Sequence, residues 1–199
     1  MISKTRRRLS GPERRLKLIE AAIKVFSLKG YEGASVEEVA KAASVTKPVL
    51  YDHFSSKEEI FLASIEQIRD GLLRKGKDAI AREKTPHKQL KAAISVFFDL
   101  VQDDPCAARV LLISSKSPAL IAGTCHRIQE AATRGIAEIM RSHSSSESGD
   151  SEWRWFLKAE FTKKGMHGLA EWWLDHPNIP RSEVEGALFG ILKKGVELR

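Results

Sequence analysis

Cysteine is scarce in this chain of 199 residues: only Cys106 and Cys125 occur. Two thiols without Cys-x-x-Cys spacing build neither a disulfide framework nor a zinc site, and they suit a reducing, cytoplasmic setting. Long hydrophobic runs are missing as well. No apolar stretch approaches the roughly 20 residues needed to cross a bilayer, so no membrane contact is expected. The opening Met-Ile-Ser-Lys-Thr-Arg-Arg-Arg is basic, but no apolar segment follows it, which argues against a secretory signal. There is no convincing period-2 alternation and no Asn-Gly or Asp-Gly turn between apolar runs. His-Glu-x-x-His, the phosphate-binding Gly-x-x-x-x-Gly-Lys-Ser/Thr, Gly-x-Ser-x-Gly and a strand-linked Gly-x-Gly-x-x-Gly are all absent. Enzyme chemistry therefore has no home here, and no catalytic residue, metal or cofactor is expected.

What is present is enough apolar sequence for a sizeable core, 42% of residues, together with 30% charged residues. The net charge of +7 becomes informative once it is located. Residues 1–57 hold 12 Lys/Arg against 6 Asp/Glu, whereas residues 58–199 hold 21 against 20. A basic end on a near-neutral body is the pattern of a protein that meets a polyanion. A lysine-rich solubilising face would look the same, so charge alone leaves both readings open.

Helix signals fill the chain. Ser10 to Glu13, Ser35 to Glu38, Ser56 to Glu59 and Ser182 to Glu185 each read as a capping box. Thr85-Pro86, Asp104-Pro105 and Ser117-Pro118 each place a capping oxygen before a proline at a first helical position. Between these marks apolar residues recur at three and four, as Leu16, Ile19, Ile23 and Phe26 do in the first helix. The fold class is all-α, with about nine helices expected at 12–28, 36–42, 47–53, 57–82, 86–102, 105–113, 118–142, 152–174 and 183–197. The low-complexity run from Ser142 to Asp150 reads as an exposed loop, and the one plausible domain boundary lies near residue 55.

Two of the short helices form a unit. The first buries Val36, Val39, Ala40 and Ala43, the turn Ala43-Ser44-Val45 follows, and the Thr46 hydroxyl is placed to cap the next helix. Leu50 and Phe54, four apart, point back at Ile23, Phe26 and Val39. Lys47, Pro48, Val49, Tyr51, Asp52 and His53 are left wholly or partly outward. This is a helix-turn-helix, in which the second helix enters the major groove and its first residues reach base edges. Lys47 is a donor for guanine O6 or N7, Pro48 packs on a thymine methyl, and Val49 adds apolar contact. Tyr51 and His53 stand at the height of phosphate oxygens, and Lys57 opens the next helix, whose free N–H groups also favour an anion.

From about Arg14 to Ile65, the segment that includes Gly-Tyr-Glu-Gly-Ala-Ser-Val-Glu-Glu-Val-Ala-Lys-Ala-Ala-Ser-Val-Thr-Lys-Pro-Val-Leu-Tyr-Asp-His-Phe-Ser-Ser-Lys-Glu-Glu-Ile-Phe resembles the DNA-binding region of the tetracycline-repressor (TetR) family. The resemblance implies a homodimeric bacterial transcription regulator, usually a repressor released from a palindromic operator by a small-molecule effector. By position, Lys47, Pro48 and Tyr51 resemble the family's base-reading and groove-lining residues. Ser35, Thr46, Tyr51, His53 and Lys57 resemble its phosphate contacts. Ser44 stands where the family commonly has glycine, so a positive φ there costs about 1 kcal/mol. Val49 stands where a hydroxyl is frequent. The expected domains are a DNA-binding domain over 1–55 with a basic arm (Lys4, Arg6 to Arg8), and an effector-binding and dimerisation domain over 56–199.

The body is less legible. Small residues among apolar ones on the last two helices resemble the family's four-helix dimer interface, and Gly165, Gly168, Leu169, Trp172, Val184, Ala187, Leu188 and Ile191 are the residues expected there. An intramolecular core is the alternative. Phe97, Phe98, Trp153 and Trp155 are candidates to line a pocket, or core aromatics, and the effector is unassigned. The helix beginning at Lys57 is the expected mechanical link between body and reading head. A helical module that binds an acidic protein partner is the rival to DNA binding, and a transcriptional activator using the same basic helix-turn-helix face is the alternative to a repressor.

Overall fold

The computed structural model describes residues 10–114, 119–142 and 151–195. The basic arm, the Ser117-Pro118 cap and residues 143–150 of the expected loop lie outside the described residues. Among those described there are nine helices and no strand: α1 Gly11–Gly33, α2 Val36–Ala42, α3 Lys47–Tyr51, α4 Lys57–Ala81, α5 Pro86–Asp103, α6 Pro105–Ser114, α7 Ala119–Arg141, α8 Glu152–Leu174 and α9 Arg181–Gly195.

The capping signals act locally where they act at all. Ser10 with Glu13 and Ser35 with Glu38 form complete capping boxes, each satisfying two otherwise orphaned backbone donors. Asp104 caps α6 through a 3.0 Å bond from the Ala107 N–H. Other expectations are corrected. Ser56 caps α4, but the Glu59 carboxylate turns to the Ser55 N–H and hydroxyl, both at 2.7 Å, so the reciprocal arm is displaced by one residue. Thr46 and Thr85 make no side-chain cap bond. At Thr46 one of the two N–H groups that a cap side chain can accept from is absent, because Pro48 occupies the second helical position, and the other, on Val49, is not engaged. Ser182 lies inside α9, and Glu185 is engaged instead by Arg181, which also reaches Asp99 and the Ser95 carbonyl on α5.

The head is a three-helix cluster to which α4 contributes its first turns. Leu18, Ile19, Ala22, Ile23 and Phe26 of α1 pack with Val39, Ala40, Leu50, Phe54, Ile60 and Phe61 in one buried set. Leu16, expected on this stripe, is 44% exposed; Leu18 takes the inward position. Val36 and Ala43 are only half-buried. Gly30, with φ 69° inside α1, lets the chain break direction before Tyr31. The body continues the same core through α4 to α9, and α1 packs on α6 as well as on α4. Phe97 and Phe98 belong to this core.

At the end of α8 the Trp173 indole donates to the Ile179 carbonyl at 2.9 Å, which shapes the link to α9. Arg109 on α6 grips the Leu174 carbonyl and Asp175 at the same place, each at 3.2 Å. Val184 and Leu188, expected at a partner-facing surface, are buried in the chain's own core. Their stripe of α9 turns inward, and a Cβ on Gly165 of α8 would stand 3.9 Å from Leu188 Cδ1. Leu169 is half-buried against the same core. Exposed on this side are Gly168, Trp172, Ala187 and Ile191, with Leu157 and Phe161 of α8 alongside.

Candidate nucleic-acid interface

The turn between α2 and α3 is built as a Schellman motif. Val45 N–H donates to the Ala40 carbonyl at 3.0 Å and Ser44 N–H to the Lys41 carbonyl at 3.0 Å. Ser44 closes it with φ 56°, and it is the one positive-φ non-glycine among the described residues. The left-handed geometry sets the angle at which α3 leaves α2. Leu50 and Phe54 then anchor α3 from below, at 0% and 1% exposure, and the Arg15 guanidinium covers the Phe54 ring at 4.6 Å.

That anchoring decides which residues face solvent. Thr46, Lys47, Pro48, Tyr51 and Asp52 are exposed; Ser35, Val49, His53 and Lys57 are half-buried. Thr46, with no cap bond to make, keeps its hydroxyl available. Lys47 Nζ is paired with the Glu37 carboxylate of α2 and lies 5.8 Å from the Tyr51 ring centroid. Lys57 Nζ donates to the Glu32 carbonyl at 3.2 Å and rests 4.6 Å over the Tyr31 ring. Lys29 pairs with Glu38. The eight sequence-derived positions thus share the end of the molecule where α2, α3 and the start of α4 converge. Two neighbours, Glu37 and Tyr31, escaped the sequence reading, and Glu38 entered it only as the capping partner of Ser35. Their pairings join residues 9, 10 and 26 apart, which no helical or strand periodicity links.

Pairing favours the charged forms of Glu37, Lys47 and Glu38. The hydrogen bond from Lys47 keeps the Glu37 carboxyl below the usual carboxylate range, and Glu37 in turn raises the Lys47 ammonium. Lys29 first, and then the Ser35 N–H, do the same for Glu38. Burial, with Glu58 and Glu32 nearby, raises the Tyr31 phenol.

In the body, two adjoining cavities of about 550 and 560 Å³ run along α7 and α8 and share Glu130, Trp153 and Phe156. Trp155 and Arg134 line the first; Ser114, Cys125, Gln129 and Lys163 line the second. Of the four candidate pocket aromatics, Trp153 and Trp155 line these cavities, whereas Phe97 and Phe98 are buried in the core. Lys163, 3% exposed, is bonded to Thr133 at 2.6 Å, Glu160 at 2.7 Å and the Gln129 carbonyl at 3.0 Å. Among the described residues no cluster of three or more His, Cys, Asp or Glu can hold a metal ion, and no helix is long and apolar enough to cross a membrane.

Residues 18–64 match the family model described as bacterial regulatory proteins, tetR family. Over 188 residues the chain is 31% identical to the HTH-type transcriptional activator FasR of Mycolicibacterium smegmatis, covering 91% of this chain and 82% of that one. It is 26% identical to the biofilm operon negative regulator IcaR of Staphylococcus epidermidis, covering 89% and 98%. The fold also matches the transcriptional regulator FadR from Bacillus subtilis, solved in complex with stearoyl-CoA, with a TM-score of 0.77 at 18% identity over 89% of this chain and 96% of that one.

Proposed function

Because this chain belongs to the tetR family of bacterial regulatory proteins and is a DNA-binding transcription regulator, we propose that it reads a two-fold operator as a homodimer through the α2–α3 unit. The single observation that carries this is the convergence of Ser35, Thr46, Lys47, Pro48, Tyr51, His53 and Lys57 at one end, with α3 held from beneath by Leu50 and Phe54. Lys47 and Pro48 address base edges, with Val49 beside them. Ser35, Thr46, Tyr51, His53 and Lys57 address phosphates and set register.

Dimerisation uses the outer face of α8 and α9. Phe161 and Trp172 are 65% and 47% exposed there, Ile191 56%, and Gly168 and Ala187 leave room for close helix approach. One helix-turn-helix reads few bases; a two-fold pair reads half-sites about 34–36 Å apart. A small-molecule effector binds at the α7–α8 cavities, and α4, packed on α1, α5, α6 and α7, carries its effect to the head. Such coupling is typically about 1–3 kcal/mol, several-fold to hundredfold in operator affinity.

The relatives divide between an activator and a negative regulator. Release by an effector favours the repressor reading, while the sign of regulation also depends on where the operator lies relative to the promoter. The test is footprinting on DNA flanking the protein's own gene, followed by Lys47→Ala on single-base operator variants. The variant should lose discrimination at one position per half-site. Equal weakening on every sequence would remove Lys47 from base reading.

A further inference from the structure

Lys47 and Glu37 lie ten residues apart, across the turn that joins the two helices of the reading head. Their ion pair sits on the face proposed to meet DNA, with the two side chains 45% and 62% exposed. Lys47 is therefore not a free cation in the unbound protein. Its ammonium is bracketed by the Glu37 carboxylate and the Tyr51 ring. The neighbouring Glu38 is spent elsewhere, on Lys29 and on the Ser35 N–H at 3.0 Å, so it is Glu37 that stands before Lys47.

We propose that Glu37 is a specificity-determining residue, which withholds Lys47 from DNA that lacks the right base edge. In a helix-turn-helix the first helix crosses the phosphate backbone, so a carboxylate in the first turn of α2 approaches phosphates together with Lys47. While the pair stays closed, Lys47 neutralises no phosphate and Glu37 adds a repulsion. Opening the pair requires an acceptor that repays it. Guanine presents O6 and N7 together in the major groove, whereas other base edges do not offer that double acceptor. Operator DNA therefore opens the pair and random DNA leaves it closed. Exposed ion pairs are weak, so this is a filter of several-fold rather than a lock.

The inference rests on Lys47 as a base reader. Its test uses the full chain, a duplex selected in vitro from a random library and a scrambled duplex of equal length, titrated by fluorescence anisotropy at several salt concentrations. Glu37→Gln should tighten scrambled-duplex binding about three- to tenfold and steepen its salt slope by about 1, with a smaller gain on the selected duplex. The ratio between the two duplexes narrows. In a Lys47→Ala background the same change should shift both duplexes equally. Glu37→Asp keeps the first-turn charge but draws it back from Lys47; it should move in the same direction as Gln and carries the test should Gln fail to fold. A gain from Glu37→Gln that persists in full without Lys47, or no gain at all on scrambled DNA, would overturn the proposal. If instead Lys47→Ala alone weakens both duplexes equally, base reading by Lys47 has failed, a different result from the other two.

Discussion

The ring of Phe61, in the second turn of α4, meets Phe26 of α1 edge-on with centroids 5.0 Å apart, and Tyr31 joins them at 4.9 Å from Phe61. The helix that runs into the body is thereby rooted in the core of the reading head, and a tilt of α4 cannot leave α1 unmoved. Phe61→Ala should cost about 3–5 kcal/mol in denaturant unfolding, through lost burial and the cavity left behind. Operator affinity should fall with it. A cost under 1 kcal/mol would mean that the head holds α4 by other contacts.

Ser44 invites the opposite outcome. Its φ of 56° places a Cβ in left-handed backbone, where only glycine sits without strain. Ser44→Gly should stabilise the protein by about 0.5–1 kcal/mol, glycine's extra unfolded-state entropy offsetting part of the relief. Ser44→Ala should give no gain. Thermal melts of the three proteins decide it.

Lys57 separates positioning from reading. Lys57→Ala should weaken selected and scrambled duplexes alike and reduce the salt slope of each by about 1. Its bond to the Glu32 carbonyl and its place over Tyr31 keep the ammonium at one spot, consistent with a phosphate clamp and not with a base reader. A loss confined to the selected duplex would contradict that role.

Gly168 tests the dimer without disturbing the protomer. A Cβ there meets nothing within 4 Å in the single chain. Gly168→Leu should keep helix content and the protomer's fold while driving the dimer toward monomer in analytical ultracentrifugation. An unchanged dimer would move the interface away from this face.

His167 supplies a pH signature. Stacked on Phe97 at 5.4 Å, it is pushed down to about 4, chiefly by burial and then by Lys163 and Lys164, with Glu160 and Glu171 opposing. Above pH 6.5 neither state carries the proton. As pH falls from 6.5 towards 4 the unfolded chain binds a proton that the folded protein refuses, and stability declines by up to about 3 kcal/mol. Below about 4 both states bind it and the slope from this group ends. Denaturant unfolding across that range should show one proton's worth of slope that His167→Gln removes.

Capping at Ser10 and Ser35, the buried pair Leu50 and Phe54, the helix order and the basic head were all legible in the linear chain, because each depends on residues within a turn or two or on charge alone. The left-handed Ser44 was legible through resemblance, since its position in the motif dictates the backbone. Tertiary packing alone decided the rest. Val184 and Leu188 could face a partner or the chain's own core with equal periodicity, and the placement of α9 against α8 and α5 chose the core. Ser182 and Glu185 had the spacing of a cap, but Arg181, drawn to Asp99 and Ser95 of α5, took the carboxylate. The pairing of Glu37 with Lys47 spans a turn whose angle no local pattern encodes, for electrostatic partners are chosen by distance in space after the apolar faces have packed.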